Sequence, residues 1–364
     1  MVSARRVAVA LLAFAGCGFP SLATTGDAGS NNVIDGRGRD GANADAQLCF
    51  GDATVNVCFA QPLDGMIHFA AMTSINTDSS PMCGTVMVGP DACILSAGTI
   101  TLDSTATVTA TGSRALVLVG GTTVSIAGTL DAGSYANGPA GAAADPGTCV
   151  PAADATGAGG GAGGSFGSVG GNGGNDSGGT GGANAASYAS LSLRGGCPGS
   201  SGAGPGAGNG GHGGGAIWIL AGTAIDVGGS IFAPGAGGDN GGLGPSGGCG
   251  GGAGGLVGLD APTVKITGQV DANGGGGAGG GGNVNEGADG GDSMSAIFAA
   301  AGTPGSPDGG GPGGSGSVGM TIGQPGAQAT TSNGGGGGGG GGAGYVKIIS
   351  TSPTISGAVS PNPS

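Results

Sequence analysis

Short stretches of alternating apolar and small or polar residues recur along the chain in one register. The stretches that begin at Ala115, Ala216, Gly255 and Gly344 align without gaps, and a weaker copy begins at Ala92. An apolar pattern with a period of two is typical of half-buried β-strands. Each copy therefore predicts two or three short strands separated by turns.

The aligned copies place similar residues in shared columns. Four such columns are Val124, Ile225, Val264 and Pro353; Ile126, Val227, Ile266 and Ile355; Gly128, Gly229, Gly268 and Gly357; and Leu130, Ile231, Val270 and Val359. Repeats of this kind indicate units that stack on their neighbours. The pattern predicts an all-β fold, a short right-handed parallel β-helix of about five rungs within residues 92–364. An antiparallel β-sandwich built from hairpins is the alternative.

Glycine-rich tracts separate the copies and are predicted as insertions at 133–213, 235–252 and 273–343. Glycine occupies every third position without a break from Gly235 to Gly250. A repeat of three matches helices of the polyproline-II type, so polyglycine-II or polyproline-II-like insertions are predicted. Collagen would need more than the 19 prolines present and an unbroken register. Disordered tracts are the alternative, and the run Gly334–Gly342 is expected to be the most disordered because no side chain sets its register.

Composition and charge exclude some partners. Glycine accounts for 98 of 364 residues, only 8% of residues are charged, and the formal net charge is −13. No basic patch remains that could bind nucleic acid or an anionic membrane surface.

The N-terminus has the features of an export signal. Two arginines precede an apolar run that is too short to span a membrane, which predicts a signal peptide at residues 1–16. The stretch from Phe14 to Cys17 resembles a bacterial lipobox, which implies lipidation of that cysteine; cleavage after Ala23 is the alternative. Because Gly18 rather than Asp follows it, the resemblance implies an outer-membrane or cell-surface lipoprotein. Residues 17–47 are expected to form a flexible acidic tether.

The other cysteines fit an oxidising compartment. They suggest a disulfide-bonded N-terminal cap at 48–91 and a cross-link that closes the first glycine tract, with Cys249 left over. The candidate pairs are Cys49–Cys58, Cys83–Cys93 and Cys149–Cys197. The chain contains no C-x-x-C motif and only two histidines, so no metal site and no cofactor are expected.

Several stretches together carry a family resemblance. The lipobox, the acidic tether, SINTDSSPMCG, LRGGCPGSSG and GGGGGGAGYVKI resemble glycine-rich exported proteins of the myxobacterial type. Their composition is similar to that of PE-PGRS proteins, without the PE module. The resemblance implies an exported glycine-rich protein and carries no activity with it.

A catalytic site would need carboxylates grouped on one face. Asp131 and Asp271 share a column, but Phe232 lies between them. Asp226 and Lys265 are expected to form an outward ion pair of little energetic weight. An enzyme would require Asp226, Asp260 and Asp271 to converge. We therefore expect no catalytic residue. The sequence contains no nucleophile elbow or phosphate-binding loop.

The remaining polar residues are expected to have local structural roles. Arg114 and Arg194 are expected to finish strands or clamp loops, and His212 to be solvated. Asp292, in GADGGDSM, partly matches a calcium-binding nonapeptide. Threonines in TVTATG and GTTVS resemble flat arrays on ice-binding proteins, although solvated strand faces explain them equally well.

These observations predict a cell-surface structural or adhesive protein without catalytic activity. Its expected partners are a membrane, through the lipid, and cell-surface polysaccharide or other surface proteins. An ice- or carbohydrate-binding surface protein and a polysaccharide-degrading β-helix enzyme are the alternatives. If the cysteine is not lipidated, the protein is expected to be secreted.

Overall fold

The computed structural model describes residues 34–35, 48–188 and 192–364. The signal peptide, the lipidated Cys17 and, apart from residues 34–35, the tether lie outside the described residues. The described residues contain no helix and 29% strand. No element within them could cross a membrane as an apolar helix.

The first strands form a small sheet and the start of two larger sheets. Strands β1 to β5 are Ile34–Asp35, Leu48–Gly51, Asn56–Phe59, Met66–Phe69 and Thr73–Asn76. Strand β2 pairs with β1 in parallel and with β3 as an antiparallel hairpin. Strands β4 and β5 lie within the segment predicted as the cap, but they pair in parallel with β6 and β7.

The repeats supply the remaining strands. Strands β6 to β9 are Ala92–Leu102, Thr107–Thr111, Ala115–Ile126 and Thr129–Asp131. Strands β10 to β12 are Ala216–Ala221, Ala224–Val227 and Ser230–Phe232. Strands β13 to β15 are Leu256–Asp260, Thr263–Ile266 and Gln269–Asp271. Strands β16 to β18 are Tyr345–Ile349, Ser352–Ile355 and Ala358–Ser360.

The repeats assemble into two parallel sheets. The larger sheet has nine strands. Seven follow the order β16-β13-β10-β8-β11-β14-β17; β6 pairs with β8, and β4 pairs with β6. The long strand β8 pairs with β10 through Leu116–Gly120 and with β11 through Thr123–Ile126. The sheet therefore bends around β8 and is nearly closed, like a barrel. The smaller sheet has the order β18-β15-β12-β9-β7-β5.

The predicted parallel β-helix of about five rungs is wrong. The strands do not form the successive rungs of a continuous coil but one bent nine-stranded sheet and one six-stranded sheet. After β9, β12 and β15 the chain leaves into a glycine tract and returns only at the first strand of the next repeat. In a β-helix a short turn would connect one rung to the next, whereas here long glycine tracts connect the successive repeats.

The alignment of the repeats is confirmed. Ile225 pairs with Val124 on one side and Val264 on the other, and Val264 pairs with Pro353. The columns that begin with Ile126 and Leu130 are likewise paired across neighbouring strands. The apolar side chains of these columns form one continuous buried core between the two sheets, except on β17, where Pro353 and Ile355 are exposed.

Strand β10 is buried on both faces, as its unbroken apolar sequence AIWILA suggests. Ile217 and Ile219 belong to the core between the sheets. Trp218 and Leu220 face a second cluster, which includes Phe50 of the N-terminal hairpin and Phe166 of the first glycine tract. This second cluster joins the hairpin and the tract to the sheet.

The glycine tracts pack side by side as extended segments linked by backbone hydrogen bonds. Gly248, Gly251 and Gly254 donate to Gly336, Gly339 and Gly342, which shows a parallel pair in which every third residue faces the same neighbour. Gly160 and Gly163 donate to Gly174 and Gly171, which shows an antiparallel pair with the same step. The three-residue register predicted from glycine positions is therefore confirmed.

The expectation that Gly334–Gly342 is the most disordered piece is wrong. This run is buried and lies at the centre of the bundle. Its N–H and C=O groups hydrogen-bond to six surrounding segments: 158–164, 171–174, 248–254, 275–281, 311–317 and 324–327. The absence of side chains allows backbones to approach from every direction, so neighbouring backbones set the register.

Candidate functional site

The carboxylates that an enzyme would require occupy separate surroundings. Asp226 is exposed on β11 and forms a 3.7 Å ion pair with Lys265, as predicted. Asp260 ends β13 of the other arm of the larger sheet, and Asp271 is fully buried at the end of β15 in the smaller sheet. Among the described residues, no group of three or more His, Cys, Asp or Glu side chains is placed to hold a metal ion.

The column predicted to hold Asp131 and Asp271 is present, with Phe232 paired between them. Asp131 accepts hydrogen bonds from the N–H of Gly133 at 2.7 Å and from the Tyr135 hydroxyl at 3.0 Å. Burial raises the pKa of Asp131. Burial, together with the charge of Asp131, raises the pKa of Tyr135, which therefore stays protonated and donates.

Asp271 holds the start of the third glycine tract. It accepts hydrogen bonds from the N–H of Asn273 at 2.8 Å and from the Ser293 hydroxyl at 3.1 Å. Burial raises the pKa of Asp271 to about 6, although these two hydrogen bonds oppose the shift. This carboxylate serves as a buried anchor for backbone and hydroxyl groups.

His212 is paired rather than simply solvated. Its Nδ1 lies 2.5 Å from Oδ2 of Asp145, and the other oxygen of Asp145 accepts the N–H of Gly213 at 2.7 Å. The hydrogen bond to Asp145 raises the pKa of His212 and desolvation opposes the rise, while the charges of Asp145 and Asp239 add to it. Asp145 itself has a φ of 52°, a left-handed conformation that Asp tolerates better than most residues.

Arg114 and Asp292 each hold a loop through contacts with its backbone. Arg114 donates to the carbonyl of Thr77 and lies 3.9 Å from Asp78. Asp292, the residue with partial calcium-motif character, accepts the backbone N–H groups of Ala136 and Gly237, both at 2.9 Å. Its carboxylate thus joins two segments of backbone.

Arg194 lies in an aromatic cluster at the cross-link of the first glycine tract. Its guanidinium is 4.3 Å from the centre of the Tyr188 ring and 5.2 Å from that of Phe166. It also donates to Thr148 and to the sulfur atoms of Cys149 and Cys197. A cation over aromatic rings is attracted by their negative faces, so Arg194 clamps the loop as predicted.

The described residues form three disulfide bonds, and they are the three pairs suggested by the cysteine positions: Cys49–Cys58, Cys83–Cys93 and Cys149–Cys197. Cys249 is a buried free thiol, and burial raises its pKa to about 11. A protonated, buried thiol in a glycine tract is chemically inert.

Two loops next to each other present large apolar side chains to solvent. We name them the apolar loop surface, which comprises Met294, Ile297, Phe298, Met320 and Ile322. Each of these side chains exposes more than half of its area. Surfaces of this kind in soluble proteins commonly mark sites of interaction.

The framework of the smaller sheet holds both loops together. Asn273 donates through its side chain to the carbonyl of Ser295 in the first loop. Ser360 accepts the N–H of Gly319 in the second loop and donates to Asn273. A further bond from the N–H of Gly316 to the carbonyl of Ala300 joins the tracts that carry the loops.

Neither this surface nor the roles of Asp145, Asn273 and Ser360 are among the predictions from the sequence. The available signal was SMSAIF, the longest apolar interruption of the third glycine tract. The chain matches no protein family model, no curated protein and no solved structure.

Proposed function

We propose that this protein is a non-enzymatic adhesive protein of the cell surface, which attaches through the apolar loop surface. The observation that carries the proposal is the exposure of five large apolar side chains on two adjoining loops. A rigid scaffold that presents variable loops is a common arrangement for binding.

The glycine bundle supports the scaffold role. Its backbone groups bond to one another along whole tracts, which leaves few mobile groups in the support. Little entropy is then lost when the loops bind, so more of the contact energy remains as affinity.

Charge indicates what kind of surface the protein would attach to. The net charge of −13 disfavours strongly anionic surfaces. The apolar loop surface contains no charged side chain. The proposed partner is therefore a weakly charged, partly apolar surface on neighbouring cells or in the extracellular matrix.

Lipidation of Cys17 would hold the protein at the outer membrane or cell surface. The test is metabolic labelling with a clickable fatty acid, followed by membrane fractionation. The wild-type chain is expected in the membrane fraction with label, and Cys17→Ser is expected to lose both. Equal labelling of the variant would refute the anchor without bearing on adhesion.

Adhesion is tested with beads coated with the folded protein and washed over cells under flow. The variant Phe298→Ser with Met320→Ser should weaken attachment about tenfold or more, which corresponds to a loss of roughly 1.4 kcal/mol. The matched control is Leu243→Ser with Val284→Ser. It removes two exposed apolar side chains from turns in other parts of the bundle and should attach as wild type.

Attachment by the loop variant equal to that of wild type would rule out the proposed surface. Failure of the wild-type protein to attach to any cell would rule out the adhesive function itself. Circular dichroism of all variants checks that the fold is retained.

A further inference from the structure

A polar cleft lies between three stretches of backbone. Residues 135–138, 209–212 and 236–239 line most of it, and its volume is about 210 Å³. Pockets for drug-sized ligands span about 300–1,000 Å³, so this cleft matches a single small ring. It opens to solvent on one side.

The lining offers both donors and acceptors. Asn137 and Asn209 contribute carboxamides, His212 an imidazole and Asp239 a carboxylate. A carboxamide both donates and accepts hydrogen bonds, whereas a carboxylate only accepts. Tyr135, an aromatic residue, also lines the cleft. This set of groups suits a ligand that carries several hydroxyl groups on a small, partly apolar ring.

The walls of the cleft are fixed before any ligand binds. Asp292 joins two walls by accepting the N–H groups of Ala136 and Gly237. Asp239 accepts the N–H of Asn209 at 3.0 Å. A preformed site binds with less loss of entropy.

Backbone strain marks the same loop. Asn137, Ala143 and Asp145 have φ values of 60°, 60° and 52°, and they are the non-glycine residues with positive φ in the described part of the chain. Strained residues of this kind often occur at ligand clamps. Asn137 lines the cleft itself, and Asp145 orients His212 on its opposite wall.

We propose that this cleft binds one neutral monosaccharide unit, either free or at the end of a polysaccharide. The carboxylate of Asp239 in the lining disfavours anionic ligands, and the polar lining disfavours a purely apolar ligand. None of the residues of the apolar loop surface lines the cleft, so this proposal does not depend on the adhesive role proposed above.

The test is saturation-transfer NMR with the folded protein and free glucose, galactose, mannose or N-acetylglucosamine. Sugar concentrations extend to about 10 mM, tenfold above a Kd of 1 mM. Glucuronate serves as the anionic comparison, and a neutral polysaccharide tests recognition of a chain end. At least one neutral sugar is expected to bind, and glucuronate is expected to bind more weakly.

Two variants connect binding to the cleft. Asn137→Gly removes a carboxamide while glycine accepts the positive φ, so the fold should be kept or stabilised. Asn209→Ala removes the other carboxamide and keeps the backbone N–H that Asp239 accepts. Each should weaken binding at least tenfold. Asn333→Ala, an exposed asparagine in a turn outside the cleft, should bind as wild type.

Binding of a polysaccharide without any free sugar would still support the site if both cleft variants abolish it. The proposal is overturned if no neutral sugar or polysaccharide binds. It is also overturned if glucuronate binds as tightly as the neutral sugars, or if both variants bind like wild type.

Discussion

At the scale of the residue, carboxylates in this protein act mainly as acceptors for backbone N–H groups. Asp131, Asp145, Asp271 and Asp292 each hold a turn or a tract end in this way. A chain with so many backbone groups outside regular sheets needs acceptors at the points where tracts begin. This accounts for the dispersal of these acidic residues along the chain.

Asp271 should make the stability of the protein depend on pH. Its pKa is about 6 in the folded state and about 3.9 in an unfolded chain. Between these values the folded state binds more protons, so the free energy of unfolding should fall as pH rises from about 4 to 6. Asp271→Asn should reduce this fall, measured by urea unfolding at several pH values.

Asp131 contributes to the same fall, because burial raises its pKa too. The variant is therefore expected to flatten the profile in part. Asp226→Asn controls for the loss of one negative charge at an exposed position. A profile of Asp271→Asn that coincides with that of wild type would contradict the prediction.

His212 should titrate above the usual histidine pKa of about 6.5. Because the folded state raises this pKa, the stabilisation is complete at pH below about 6.5 and is lost as pH rises through the folded value. The measurement is an NMR titration of the His212 ring. Asp145→Asn should lower the pKa of His212 to the ordinary value or below it, because the desolvation that lowers this pKa is then no longer opposed by the Asp145 carboxylate. An unchanged pKa would show that Asp145 does not cause the rise.

At the scale of the element, the pairing of strands depends on side chains of matched size. Trp218 on β10 lies over Gly258 of the neighbouring strand β13. A Cβ at position 258 would lie 2.1 Å from the Trp218 ring. This glycine provides the space that allows the large ring to be completely buried in a parallel sheet.

Gly258→Ala should therefore destabilise the protein by about 1–3 kcal/mol through overpacking. The measurement is the free energy of unfolding in urea or guanidinium. Gly178→Ala is the control, because a Cβ there meets no atom within 4 Å. Equal stability of the two variants would show that the ring moves aside at little cost.

At the scale of the whole molecule, two kinds of packing bury the interior. Apolar side chains fill the space between the sheets, while the glycine tracts bury backbone against backbone. Satisfied backbone hydrogen bonds, with weak Cα–H···O contacts, take the place of an apolar core in the tracts. The run Gly334–Gly342 leads directly into β16 and so couples the two parts.

Gly338→Ala should cost more than about 4 kcal/mol, a loss typical of severe steric conflict. Its Cβ would lie 1.9 Å from the carbonyl oxygen of Cys249, a backbone atom that cannot rotate away. The measurement is again the free energy of unfolding. Gly147→Ala, at an open position, should be close to wild type.

Hydrogen exchange gives a second measurement in case Gly338→Ala does not fold. In the wild-type protein, the amides of residues 335–342 should exchange only through global unfolding, because each donates to a neighbouring tract. Rapid exchange of these amides would contradict the central position of this run.

The sequence by itself determined the strand repeats and their mutual register, because alternating apolar residues mark strands and aligned columns mark neighbours. Cysteine positions indicated the three disulfide pairs, two of them over short separations and the third because its cysteines flank a glycine tract. Glycine positions predicted the three-residue step, which is a local property. Only the tertiary structure decided that the sheets bend around β8 rather than coil into rungs, and that a run of nine glycines lies at the centre of a bundle. It also brought together Asn137 with His212 in one cleft, and the loops at Ser295 and Gly319 through Asn273 and Ser360. Contacts of this kind depend on where the glycine tracts reverse direction and on which backbones become neighbours. A tract without side chains has no residue pattern that specifies those neighbours.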